Sequence, residues 1–132
     1  MENKYREKDG NITFIKYYLV FCTRYKRKIF NIKGVEERTI ELIRNECDLL
    51  DVNIINVKCK LNHVHLIVET PPNISPNEIL QKIKFRTSKQ IREEFEELGK
   101  IPSLWTRKIF VSTDINNCNE EIKKFIDCQK TK

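Results

Sequence analysis

The sequence predicts an α+β fold, in which one antiparallel β-sheet carries helices on one face. Segments rich in β-branched and aromatic residues alternate with segments whose apolar residues recur at helical spacing. Their order is strand, helix, strand, strand, helix, strand, followed by a last helix. The chain has only three glycines and no glycine-rich loop, which excludes P-loop and dinucleotide-binding folds. This order is typical of the ferredoxin-like split βαβ fold, here with an appended C-terminal helix.

The first part of the chain predicts a free end, a strand and a helix. Residues 1–10 are polar, so we expect a mobile N-terminus ahead of a single domain over residues 11–132. Residues 12–23 carry apolar side chains on both faces, which predicts a buried central strand. Residues 35–51 have apolar side chains at helical spacing, which predicts the first helix.

The middle of the chain predicts a hairpin and a long helix. Residues 52–60 and 62–69 both alternate apolar and polar side chains around a short connection, as in a β-hairpin. Ser75, a proline and Glu78 form the pattern of a helix N-terminus with a capping box. We expect this second helix to cover residues 76–98.

The last part of the chain predicts a strand and a short helix. Residues 108–113 can form the remaining strand of the sheet. Asn117 and Glu120 have the spacing of a second capping box. We therefore expect a terminal helix that continues to Gln129.

The charge of the chain favours a polyanionic partner. Lys and Arg number 25 against 19 Asp and Glu, which gives a net charge of +6 and a pI near 9.1. Basic residues form two clusters along the chain. The first has no acidic residue within it, which favours DNA binding, whereas an ordinary solvated helix face explains the second equally well. The candidate DNA-binding residues are Arg24, Lys26, Arg27 and Lys28 in the first cluster and Lys82, Arg86 and Lys89 in the second.

The distribution of cysteines and the hydropathy of the chain predict a cytoplasmic protein. The five cysteines are scattered and include no Cys-x-x-Cys pair, so we expect reduced thiols in the cytoplasm. No apolar run approaches the length of a membrane span, and the N-terminus lacks the apolar stretch of a signal peptide. The sequence therefore predicts neither a membrane protein nor an exported one.

The two histidines of the chain stand two residues apart in a predicted strand. If Val64, Leu66 and Val68 point to the core, then His63 and His65 both project from the opposite face. Two imidazoles on one strand face are spaced to share a metal ion that could polarise a phosphate oxygen. A pair of half-exposed surface histidines without a ligand is the alternative interpretation of this spacing.

Four blocks of sequence, in order, resemble the single-tyrosine HUH transposases of the insertion-sequence 200/605 type and their relatives that act on repetitive palindromes. Residues 61–69 resemble the signature of histidine, hydrophobic residue, histidine. Residues 18–28, then Leu104 to Trp105 with residues 110–113, then residues 122–129 resemble the other blocks. The resemblance covers nearly the whole chain, from about residue 12 to residue 129.

This resemblance implies an enzyme that binds single-stranded DNA hairpins and moves small insertion sequences. In the family, a tyrosine on the last helix attacks a DNA phosphate, forms a 5′-phosphotyrosine link and releases a 3′-hydroxyl. The resemblance implies that His63, His65 and Gln129 hold Mg²⁺ or Mn²⁺, with modest affinity because the amide oxygen is neutral. It also implies a homodimer in which the terminal helix of one subunit can complete the site of the other.

The position of the family's nucleophile is occupied by Phe125, four residues before Gln129. Phenylalanine has no hydroxyl, so we expect the chain to bind DNA and metal without cleaving DNA. Three explanations stay open: a deliberate substitution that traps a DNA complex, a naturally inactivated copy that still binds hairpins, or a shifted register. In the last case Phe125 is a core residue that packs with Cys118, Ile122 and Ile126.

Two further functions fit the same sequence. A non-catalytic hairpin-DNA or RNA-binding domain derived from such a transposase would use the sheet face without chemistry. A replication-initiation or relaxase-type nuclease shares the pair of histidines, but the small size of the chain and residues 110–113 disfavour it. Metal dependence of DNA binding separates the first alternative from the enzyme.

Overall fold

A four-stranded antiparallel sheet with two helices on one face and a third on the other forms the body of the molecule. The structure is a computed structural model that describes residues 4–130. Its elements are β1 (Arg6–Lys8), β2 (Asn11–Thr13), β3 (Ile15–Thr23), α1 (Val35–Leu49), β4 (Asn53–Lys60), β5 (His63–Thr70), α2 (Pro76–Glu94), β6 (Trp105–Ser112) and α3 (Asn119–Asp127).

The strand order of the sheet is β4-β5-β3-β6, and every neighbouring pair is antiparallel. The central strand β3 is buried on both faces from Leu19 onward, because helices cover both sides of the sheet. Strands β3 and β5 with helices α1 and α2 enclose the main core on one face. The predicted ferredoxin-like split βαβ fold with an appended helix is confirmed.

The appended helix α3 packs on the other face of the sheet. Val20, Cys118 and Ile122 form a small buried cluster there, with partly buried aromatic side chains around it. This face is also the one from which the two histidines project, because Val20 lies directly opposite His65 in the β3–β5 pair.

Helix boundaries follow local capping chemistry at α2 and depart from it at α3. The capping box of Ser75 and Glu78 is confirmed, with both reciprocal hydrogen bonds present. The expected capping box of Asn117 and Glu120 is wrong, since α3 begins after Cys118 without a side-chain cap. The amide of Asn117 donates instead to Asp114 in the preceding turn.

A short β-hairpin, β1–β2, precedes the central strand. The sequence predicts a mobile segment over residues 1–10 and no strand there; residues 1–3 lie outside the described residues. The guanidinium of Arg6 in β1 bonds the carboxylates of Glu69 and Asp51. Among residues 4–130, no helix combines the length and the apolar character needed to cross a membrane.

Candidate functional site

The two imidazoles lie side by side on the α3 face of the sheet. Alternation along β5 buries Val64 and Leu66 against α1 and α2, so His63 and His65 project from the opposite face. Their ring centroids are 4.9 Å apart, with the rings inclined at 70°. Both side chains are half-buried, which leaves one side of the pair open to a ligand.

Each histidine makes a hydrogen bond through Nδ1. His63 Nδ1 donates to Asn62 Oδ1 at 2.8 Å, because an amide oxygen can only accept. His65 Nδ1 lies 3.1 Å from the hydroxyl oxygen of Tyr18 on β3. When Nδ1 carries the proton in both rings, each Nε2 keeps its lone pair for a metal ion.

The surroundings keep both imidazoles neutral. Burial lowers the pKa of His63, and the nearby Lys60 ammonium adds to this effect. Burial also lowers the pKa of His65 to about 4, and His63, Lys60 and Lys58 contribute. Lys58 and Lys60 belong to β4, where they pair with His65 and His63 respectively. The two rings are therefore unprotonated at neutral pH, which is the form that binds metal.

The residues fit a metal ion only in part. Two neutral imidazoles with fixed ring orientation are suitable ligands, and imidazole favours transition-metal ions over Mg²⁺. No group of three or more His, Cys, Asp and Glu side chains in residues 4–130 is placed to hold a metal. A third ligand therefore has to come from an amide, from substrate or from another subunit.

Helix α3 ends at Asp127 and not at the expected Gln129, which lies just beyond the C-cap residue Cys128 and is only 7% exposed. Its Nε2 donates to the carbonyl of Phe125 at 2.7 Å, one helical turn earlier. Within the described residues, its side chain makes no hydrogen bond to His63 or His65. Gln129 lines a cleft of about 410 Å³ that contains neither histidine. Neither observation places Gln129 beside the histidine pair within one subunit.

Phe125 packs in the small cluster on the α3 face. It contacts the group of Val20, Cys118 and Ile122, and its ring lies 6.0 Å from that of Phe110. No residue of α3 carries a hydroxyl group. The terminal helix therefore offers no hydroxyl nucleophile of its own.

The first basic cluster forms a tight turn directly after β3. Tyr25 and Lys26 adopt the left-handed backbone conformation, with φ of 61° and 54°. The guanidinium groups of Arg24 and Arg27 both lie 5.3 Å from the Tyr25 ring centroid. Lys26 Nζ donates to the carbonyl of Asp127, which links this turn to the end of α3. Lys28 is exposed beside them.

The second basic cluster lies on the outer surface of α2. Lys82, Arg86 and Lys89 are all exposed, opposite the buried side chains of Ile79 and Ile83. The first cluster therefore lies in the turn after β3, and the second lies on the surface of α2. Their contact with DNA stays a prediction.

Tyr18 is a site residue that the sequence analysis does not single out. Its strand position gives the signal, since Tyr18 and Val20 share a face and Val20 pairs with His65. That signal depends on the register between β3 and β5, which the sequence alone does not fix.

The sheet, the histidine pair on one of its strands and the helix on the same face are the features of the HUH class. Residues 11–129 match the family model described as Transposase IS200 like. The chain belongs to this family of IS200-like transposases.

Comparison with curated proteins and solved structures agrees with this assignment. The chain is 28% identical over 102 residues to the transposases for insertion sequence element IS200 of Salmonella typhimurium and Salmonella typhi. The match covers 74% of the chain but 66% of those relatives, slightly less than two thirds of their length.

Two solved structures have a similar fold. A candidate transposase from Deinococcus radiodurans R1 superposes with a TM-score of 0.88 at 18% identity, over 96% of this chain and 99% of that one. A REP-associated tyrosine transposase bound to a REP hairpin superposes with a TM-score of 0.57 at 10% identity, over 92% of this chain and 69% of that one.

Proposed function

We propose that this chain binds hairpin ends of single-stranded DNA in a metal-dependent transposition system, in the cytoplasm, and that it does not cleave DNA. The observation that supports this most is the pair of neutral imidazoles with Nε2 free, on the sheet face that also carries α3. The hairpin is proposed as the partner because the REP-associated relative is bound to one.

Each residue around the proposed metal centre has a separate task. A divalent ion, Mg²⁺ or Mn²⁺, would supply Lewis-acid polarisation of a DNA phosphate there. His63 and His65 would hold it through Nε2, while Asn62 and Tyr18 keep the two rings oriented. The ammonium groups of β4 beside the rings, on Lys58 and Lys60, would favour the approach of a phosphate.

We propose Gln129 as the third ligand and a second subunit as its source. The amide oxygen of Gln129 forms no hydrogen bond among the described residues, so it is available to a cation. Because the amide nitrogen bonds Phe125 of its own chain and the cleft around Gln129 contains neither histidine, a homodimer would deliver the ligand across the interface.

The absence of cleavage is proposed from Phe125, which occupies the nucleophile position. Its ring is half-buried against Phe110, and phenylalanine cannot attack phosphorus. The domain proposed to carry this activity covers residues 11–132, of which residues 131 and 132 lie outside the described residues.

The experiment incubates the chain with a synthetic single-stranded DNA hairpin and Mn²⁺ and runs the products on native and denaturing gels. The chain should shift the hairpin on a native gel and yield no covalent adduct. Phe125→Tyr should yield an adduct, because the new hydroxyl stands one helical turn from Gln129. An adduct with the unmodified chain would refute the assignment of Phe125.

A non-catalytic binding domain is the second candidate, favoured by the apolar packing of Phe125. A pure binder would hold its hairpin equally well with Mn²⁺ and with a chelator. Hairpin binding that requires Mn²⁺ and is lost in His63→Ala would support a metal-dependent transposase instead.

A further inference from the structure

A groove runs between α2 and the edge strand β6, on the face of the sheet away from the histidines. It encloses about 670 Å³. None of its lining residues, within the described part of the chain, is acidic. Every ion pair in residues 4–130 involves Arg6 or Arg38, which lie elsewhere. The cations that line the groove are Lys84, Lys89, Arg92 and Arg107.

The four cations are held in different ways. Lys84 is half-buried at the base, and burial without a carboxylate partner lowers its pKa to about 8. Arg92 donates to the carbonyls of Ile101 and Pro102 and so closes one end. Lys89 and Arg107 are exposed on opposite walls, one on α2 and one on β6. The groove therefore presents uncompensated positive charge to an anion of extended shape.

An aromatic ring stands on the rim of this groove. Phe85 is 71% exposed, although it belongs to the middle of an otherwise amphipathic helix. Trp105, by contrast, is buried at the base, where Nε1 donates to Thr87 Oγ1 at 2.8 Å. An exposed aromatic ring among unpaired cations is the arrangement on which proteins stack unpaired bases.

The groove is continuous with the cleft at the end of α3. Thr106 and Arg107 line both, since they belong to the irregular part of β6 at the edge of the sheet. The cleft adds Arg24, Lys108 and Gln129, again with no acidic residue among its described lining. Positive charge thus extends from Gln129 around the sheet edge to Phe85.

We propose that this basic track, defined by Gln129, Arg107, Lys84 and Phe85, carries a single-stranded DNA segment that leads away from the face of the sheet with the two histidines. The proposal rests on the proposed function, and it assigns a path to the unpaired strand rather than to the hairpin. Phosphates lie along the cations, and one base stacks on Phe85.

The test measures binding of a fluorescent thymidine oligonucleotide of about 16 nucleotides and of a duplex of equal length by anisotropy. Phe85→Ala and Arg107→Gln should each weaken binding of the single strand about tenfold, through lost stacking and a lost phosphate contact. Leu49→Ala, which removes a side chain that is 74% exposed on α1, and Lys100→Gln should leave it unchanged. Arg107→Gln should also reduce the salt dependence by about 0.7 in the log–log slope.

Several results would contradict the proposed path for the single strand. Equal affinities for the groove variants and the controls would overturn the proposal, as would tighter binding of the duplex than of the single strand. If light scattering shows that Phe85→Ala converts a dimer to a monomer, the groove is a self-association surface and the proposal is wrong. Calorimetry with Mn²⁺ reports the histidine site separately, and the groove variants should keep their metal affinity, so the two proposals fail independently.

Discussion

The hydroxyl of Tyr18 lies 3.1 Å from Nδ1 of His65, although the two residues are 47 positions apart in the chain. They meet because Val20 pairs with His65 across β3 and β5, and Tyr18 shares the face of Val20. The contact holds the His65 ring edge-on to the Tyr18 ring, with centroids 5.9 Å apart. Tyr18 therefore controls the orientation of His65, and with it the direction of the Nε2 lone pair.

Replacing Tyr18 with phenylalanine removes this hydrogen bond and keeps the packing of the ring. We expect Tyr18→Phe to weaken Mn²⁺ binding by about tenfold, the lower end of the range for outer-shell partners of metal-bound histidines. Isothermal calorimetry measures the affinity, and circular dichroism checks that the melting temperature is retained.

Tyr17→Phe is the matched control for this variant. Tyr17 is adjacent in sequence, but it packs against the main core on the other face of the sheet. Removal of the Tyr17 hydroxyl should leave the Mn²⁺ affinity unchanged. Equal Mn²⁺ affinities for the two variants would contradict a role of Tyr18 in orienting the ligand.

The histidine pair predicts a loss of stability in acid. The pKa of His65 is about 4 in the folded chain against 6.5 for an ordinary histidine, so the unfolded state takes up the proton first. Its contribution is fully present above about pH 6.5 and is lost as the pH falls through about 4. Allowing for solvent screening of a half-buried ring, we expect the loss to be roughly 1–2 kcal/mol.

Urea unfolding of the metal-free protein between about pH 7 and pH 4 measures this loss. Because carboxylates titrate in the same window, the comparison is with His65→Asn, which lacks the buried imidazole. The variant should lose less stability than the unmodified chain over this range. Parallel curves for the two proteins would show that the imidazole is not responsible.

The proposed exchange of Gln129 between subunits predicts a specific complementation. The variants His63→Ala and Gln129→Ala should each lack metal-dependent hairpin binding. If the ligand comes from the other subunit, a mixed dimer restores one site, with His63 and His65 from one chain and Gln129 from its partner. Refolded mixtures should then recover binding, as measured by native gel with Mn²⁺. No recovery would place all three ligands in one chain.

Much of the fold could be predicted because its signals are local. Alternation along residues 62–69 predicts the strand and the shared face of its two histidines, and the pattern of Ser75 and Glu78 predicts where α2 begins. Both depend on residues within a few positions of one another. The corresponding pattern at Asn117 fails because the N-cap of α3 is Cys118, and Asn117 belongs to the preceding turn, where its amide donates to Asp114.

The rest of the candidate site depends on contacts between distant parts of the chain. The contact between the side chains of Tyr18 and His65 depends on the register of two strands. The N-terminal hairpin depends on an ion pair between Arg6 and a residue 63 positions away. Neither is visible as a pattern in sequence. The ligand set around Gln129 depends on a second chain in our proposal, so one sequence cannot show its geometry.

The ion pair between Arg6 and Glu69 predicts that the N-terminal hairpin stabilises the domain. Glu69 is 5% exposed, and its carboxylate receives the Arg6 guanidinium together with the amide of Asn53. Arg6→Ala leaves that carboxylate buried with one donor fewer, so we expect a loss of about 2–4 kcal/mol in the free energy of unfolding by urea.

Arg38→Ala is the control for this charge removal. Arg38 pairs with Glu94 and Glu41 on the exposed surface between α1 and α2. Because solvent screens that network, its removal should cost less than about 1 kcal/mol. A loss for Arg6→Ala no larger than that of Arg38→Ala would mean that the hairpin only lies against the sheet. A larger loss would show that residues ahead of β3 form part of the folded unit.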